Sequence, residues 1–132
     1  MQIASQADVE RIRREARGLA VSVGFGCADA EAIALAVSEL ATNLVRYAPG
    51  GEVLVAPCAQ DTGTGIAICS CDGGPGISDV ELALRDGYST GGGLGSGLPA
   101  VRRFMDDFTL TTSPAGTRIE ARKWLSAPSP LP

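Results

Sequence analysis

The sequence predicts an α+β two-layer sandwich, with helices on one face of a mixed, mostly antiparallel sheet. Three observations carry that class: two early segments with apolar residues at helical spacing, two pairs of strand-like runs joined by polar turns, and the order in which these alternate. Helix, helix, hairpin, glycine-rich loop, helix, hairpin leaves the helices to share one face of the sheet. The 132 residues are enough for one continuous core, so a single domain over 1–125 is expected, followed by a loose proline-rich tail over 126–132.

After an apolar start at Ile3, the residues Val9, Ile12, Ala16, Leu19, Ala20 and Val23 recur at helical spacing and Gly24 supplies a stop, giving a first helix near Ala7 to Val23. Asp29 is read as the cap of a second helix, along which Ile33, Val37, Leu40, Leu44 and Tyr47 form the buried stripe until Pro49-Gly50-Gly51 ends it. Beside that stripe Glu39, Asn43 and Arg46 stack on one side, spaced by four and three.

Glu52 to Ala56 and Gly65 to Cys71 read as the strands of a hairpin around Gln60-Asp61-Thr62-Gly63-Thr64, and the second strand runs directly into Asp72. From Gly73 to Gly97 the chain is too rich in glycine to hold a core and is read as a long loop, broken by a short helical stretch around Asp79 to Arg85. Pro99 suits the first turn of another helix with Val101, Phe104, Met105 and Phe108 as buried candidates. Strands at Thr109 to Thr112 and Thr117 to Trp124 then flank a Ser113-Pro114-Ala115-Gly116 turn.

With 45 % hydrophobic and 20 % charged residues the chain is expected to be globular, and a net charge of −4 offers nucleic acid little attraction. Histidine is absent, which removes imidazole bases, Ser-His hydrolysis and histidine-ligated zinc and leaves carboxylates or lysine as the base. Met1 to Arg14 carries Asp8, Glu10, Arg11, Arg13 and Arg14 where an export signal needs an apolar run, so a cytoplasmic location away from the membrane is expected. The four cysteines, Cys27, Cys58, Cys69 and Cys71, are accordingly read as reduced thiols. Cys69 and Cys71, two apart in a strand, point to one face and read as small buried hydrophobes.

Two glycine clusters carry the chemistry. Asp72-Gly73-Gly74-Pro75-Gly76-Ile77 closes a strand, and Gly93-Leu94-Gly95-Ser96-Gly97-Leu98 opens a helix, where unpaired backbone N–H groups and aligned dipoles favour a phosphate chain. The G-x-x-x-x-G-K-[ST] loop is absent, and no strand-turn-helix with a downstream ribose-binding acid surrounds either cluster, so P-loop and Rossmann readings fall away.

Glu39-x-x-x-Asn43 on a helix, Asp72-x-Gly74-x-Gly76 after a strand, Gly93-x-Gly95-x-Gly97-Leu98 before a helix and Gly116-Thr117 opening a late strand together resemble the GHKL ATPase/kinase superfamily, whose ATP-binding domain is the Bergerat fold. Val37-Ser-Glu-Leu-Ala, Asp86-Gly-Tyr-Ser-Thr, Gly92-Gly-Leu-Gly-Ser-Gly-Leu-Pro, Arg103-Phe-Met-Asp-Asp-Phe and Arg122-Lys-Trp narrow the resemblance to the RsbT-type switch kinases of bacterial stressosomes, from about Ile3 to Leu125.

The resemblance implies that Glu39 is the base for the attacking serine or threonine hydroxyl. It makes Asn43 the ligand of Mg²⁺, Asp72 the acceptor of the adenine amino group, and Thr117 its support. Gly74, Gly76, Gly93, Leu94, Gly95, Ser96, Gly97 and Leu98 complete the nucleotide-binding set, with Tyr88 to Gly92 as a lid. The cofactors implied are ATP and Mg²⁺, and the implied partners are STAS-domain scaffold and antagonist proteins as substrates and the regulatory domain of a PP2C-type phosphatase. An ATP-binding anti-sigma factor and a non-catalytic binding module remain as alternatives on the same fold.

Overall fold

In the computed structural model the described residues are 1–60, 63–73 and 97–125. They form β1 (Gln2–Ile3), α1 (Gln6–Val23), α2 (Cys27–Tyr47), β2 (Gly51–Gln60), β3 (Gly63–Asp72), α3 (Gly97–Phe104), β4 (Asp107–Ser113) and β5 (Gly116–Trp124). The five strands make one sheet in the order β1-β2-β3-β5-β4, antiparallel at each of these pairings.

Helix α1 begins where the Asp8 carboxylate reaches back to accept from the backbone N–H of Ala4 and Ser5, at 3.0 and 3.2 Å, satisfying donors that a helix start otherwise leaves open. It ends at Gly24, whose φ of 124° turns the chain so that the next N–H, of Phe25, reaches back to the Ala20 carbonyl at 3.0 Å. Helix α2 starts three residues earlier than the sequence suggests: Gly26 occupies the cap, and Asp29 lies in the first turn, where its charge still complements the helix dipole. Glu31 of α2 ties the two helices together by pairing with Arg13, at 3.0 Å, and with Arg17.

The alternation of the strands decides what the helices cover. Val53 of β2, Ile66, Ile68 and Ser70 of β3, and Ile119 and Ala121 of β5 stand on one face, in register, and are buried against Ile12, Ile33, Val37, Leu40, Leu44 and Val101. The opposite face carries Leu54, Cys69, Cys71, Arg118 and Glu120 and has no helix over it among the described residues. Cys69 and Cys71 therefore share a face as expected, but they are half-buried on the open side rather than core residues.

The hairpins match expectation with longer strands, since nine register pairs from Glu52↔Cys71 to Gln60↔Gly63 keep β2 and β3 together up to their turn. Phe108 is a strand residue, not the end of the third helix, because α3 stops at Phe104 where the Lys123 ammonium donates to the Phe104 carbonyl at 2.9 Å. The loop, its short helical stretch, the lid over Tyr88 to Gly92 and the tail over 126–132 lie outside the described residues.

Candidate nucleotide and phosphotransfer site

Glu39 and Asn43 fall one turn apart on α2, so both project from the same side of the helix beside the buried stripe of Val37, Leu40 and Leu44. That placement holds two polar groups on a rigid element at the margin of the core, and both are half-buried. Opposite them is the first residue of α3. A Cβ built on Gly97 would meet Asn43 Oδ1 at 3.4 Å, Asn43 Nδ2 at 3.6 Å and Glu39 Oε2 at 3.8 Å. The amide and the carboxylate thus converge on the backbone at the start of an eight-residue helix that is anchored by Leu98 and Val101 in the core.

Asp72 enters from the other side. It is the last residue of β3, on the helix-facing side of the sheet, and its register partner on β5 is Thr117. Thr117 Oγ1 lies 2.9 Å from Thr112 Oγ1 on β4, so a hydroxyl pair flanks the aspartate. Sequence reasoning missed Thr112; its pairing depends on the β4–β5 register, which no local motif announces.

Two glycines let the backbone close around this point. Gly51 fits where a Cβ would strike Leu44 Cδ2 at 2.7 Å and come within 3.1 Å of Asp72 Cβ, which brings the last turn of α2, at Leu44 next to Asn43, against the end of β3. Gly116, at φ 148°, packs so closely on the Asp72 carbonyl that no side chain fits.

The structure thus brings together Glu39, Asn43, Gly97 and Leu98 on the α2–α3 side, and Asp72 and Thr117 on the strand side. Gly74, Gly76, Gly93, Leu94, Gly95 and Ser96 lie outside the described residues. The donor set fits a hard cation: Asn43 offers an amide oxygen near the first residue of α3, with the Glu39 carboxylate on the same side. Mg²⁺ keeps waters and phosphate oxygens as most of its ligands, so one protein oxygen suffices.

Residues 3–123 match the model of the histidine kinase-like ATPase domain. The chain belongs to this family, the GHKL ATPases and kinases, whose α+β fold the five-stranded sheet and its helical layer reproduce. Within it the chain is RsbT-like: it is 41 % identical over 126 residues, 95 % of both chains, to the serine/threonine-protein kinase RsbT of Bacillus subtilis (strain 168).

Among solved structures it is similar to the RsbU and RsbW domains of a Mycobacterium tuberculosis protein, with a TM-score of 0.66 and 18 % identity over 96 % of this chain. The match spans 32 % of that longer chain. A mycobacterial sensor histidine kinase, MprB, aligns with a TM-score of 0.54 and 22 % identity over 89 % of both chains. At these identities the two structures speak for the fold alone.

Proposed function

We propose that the chain is an ATP-dependent protein serine/threonine kinase that phosphorylates STAS-domain scaffold or antagonist proteins in the cytoplasm and, once released, binds and activates a PP2C-type phosphatase. The observation that carries the reading is the convergence of Glu39 and Asn43 on the first residue of α3. Similarity to a serine/threonine-protein kinase along nearly the whole chain supports it. No described helix is long and apolar enough to cross a membrane.

In this reading the N-terminal turn of α3 receives the phosphates of ATP, because free N–H groups and the helix dipole favour anions there. Asp72, flanked by Thr117, accepts from the adenine amino group, which guanine lacks at that position. Asn43 would hold Mg²⁺, which supplies charge neutralisation of the phosphates when bound.

Glu39 takes the proton of the attacking hydroxyl while that oxygen bonds to the γ-phosphorus and ADP departs. Its fixed place beside Asn43 supplies orientation, the larger part of what a protein contributes to phosphoryl transfer. A non-catalytic binding module needs no carboxylate at that point, and the acceptor cannot be a histidine of this chain, which has none.

The test is transfer of labelled γ-phosphate from ATP to STAS-domain proteins encoded beside it, with Glu39→Gln run in parallel. Label on serine or threonine that falls at least a hundredfold in the variant, with ATP still bound, is the expected result; general-base catalysis contributes about that much or more. Binding of ATP without transfer to any candidate would overturn the kinase reading and leave the binding module.

A further inference from the structure

The open face of the sheet carries a pair of groups that the nucleotide site does not use. Cys69 and Cys71 project from the face opposite the helices, and their sulfurs lie 3.5 Å apart. Both are free, half-buried thiols. From β5, Arg118 donates through Nη1 to Cys71 Sγ at 3.4 Å, and the Glu120 carboxylate fixes the guanidinium by accepting from Nε at 2.8 Å and pairing with Nη2 at 2.7 Å.

The two sulfurs differ in setting. Burial, then the hydrogen bond and charge of Cys71, push the Cys69 thiol up to about 11, so it keeps its proton at neutral pH. Cys71 is instead the sulfur that the Arg118 guanidinium contacts, and Glu120 already holds that guanidinium. Among the described residues no third cysteine or carboxylate joins them in a metal-holding group.

We propose that Cys69 and Cys71 form a redox-active dithiol that hydrogen peroxide converts into an intrastrand disulfide. Cys71 Sγ attacks one peroxide oxygen and gives up its proton; the O–O bond breaks, the departing hydroxide takes up that proton as water, and Cys71 becomes a sulfenic acid. Cys69 Sγ attacks that sulfur, the S–O bond breaks, and the departing hydroxide leaves as water with the Cys69 proton. Two thiols and one peroxide give one disulfide and two waters: the sulfur pair loses two electrons and the peroxide gains them.

Closing the sulfurs from 3.5 Å to a bonding separation near 2.0 Å draws them in by about 1.5 Å. Alternate residues of an extended strand stand about 6.6 Å apart at Cα, at the wide end of what a disulfide spans, so β3 must contract locally. Asp72 follows Cys71 directly and is held in register with Thr117, so the contraction shifts the aspartate. Oxidation therefore weakens ATP binding several-fold, a consequence that rests on the nucleotide site proposed above.

The experiment treats the full chain with equimolar to modest excess peroxide and reads intact mass, free thiols and ATP affinity before and after dithiothreitol. A Cys27→Ser, Cys58→Ser double variant keeps the pair; Cys69→Ser and Cys71→Ser each remove it. Loss of two hydrogen masses in the wild type and the double variant, reversed by dithiothreitol and absent from both single variants, is expected, and Cys69→Ser should trap a dimedone-reactive sulfenic acid on Cys71.

Persistence of that mass loss in either single variant, or its absence from the double variant, overturns the assignment. An oxidised protein that binds ATP as tightly as the reduced one overturns the coupling. A reduced protein that binds no ATP defeats the nucleotide site instead, while mass and thiol count still decide the dithiol.

Discussion

Replacing Gly116 by alanine should unfold the strand side of the site. Its φ of 148° is one that L side chains rarely adopt, and a Cβ there collides with the carbonyl of Asp72 and comes within 3.1 Å of its carbon and of Gly73 Cα. Strained φ costs about 1–3 kcal/mol and overpacking against rigid backbone a similar amount, so the penalty is about 2–6 kcal/mol. Unfolding entropy scales to about 0.28 kcal/mol per kelvin for a chain of this length. Tm should therefore fall by about 7–20 °C.

The assay is thermal unfolding followed by circular dichroism and by the single tryptophan, Trp124, at the end of the same strand. Gly73→Ala is the control, because a Cβ there meets nothing within 4 Å among the described residues, and its stability should stay within about 0.5 kcal/mol of wild type. A Gly116→Ala protein melting within about 3 °C of wild type would refute the argument that this close approach fixes the β3–β5 join.

Two further predictions concern α1. Gly18→Ala should stabilise, since the site lies inside the helix with open space around its Cβ; a gain of about 0.5–1 kcal/mol, seen as a higher urea midpoint at unchanged slope, is expected, and a loss would contradict it. The Asp8 carboxyl is held below the usual carboxylate range, first by the Ala4 N–H and also by the Ser5 N–H, so its stabilisation is present above that range and is lost as pH falls through the depressed value. Asp8→Ala should lower the urea midpoint near neutrality and match wild type in strong acid; a gap of constant size down the whole acid range would show that the charge is not responsible.

Much of the architecture was legible because its determinants are local. The 3.6-residue spacing along Val9 to Val23 and Ile33 to Leu44, and the polar turns inside both hairpins, are statements about neighbours in sequence, and the elements appear with boundaries shifted by a residue or a few, although Tyr47, read as the end of the buried stripe, is exposed. Misplaced ends have the same origin. Asp29 reads as a cap because capping chemistry is sequence-local, but Gly26 has the extended backbone that starts the helix. Phe108 fits the stripe of α3 as a pattern, while the hydrogen bond from Lys123, 19 residues away in sequence, stands at the helix end four residues earlier.

By itself the sequence determined the two layers, the Glu39–Asn43 pair on one helix side and the placement of Asp72 at a strand end, since each depends only on the periodicity of its own element. Only the tertiary structure decided that Gly97 closes on Glu39 and Asn43, that Thr112 joins Thr117 beside Asp72, and which sheet face Cys69 and Cys71 share with Arg118. Those relations join residues from 5 to 58 positions apart. The β4–β5 and β3–β5 registers and the packing of α3 on α2 set them, because a contact between elements has no signature within either one.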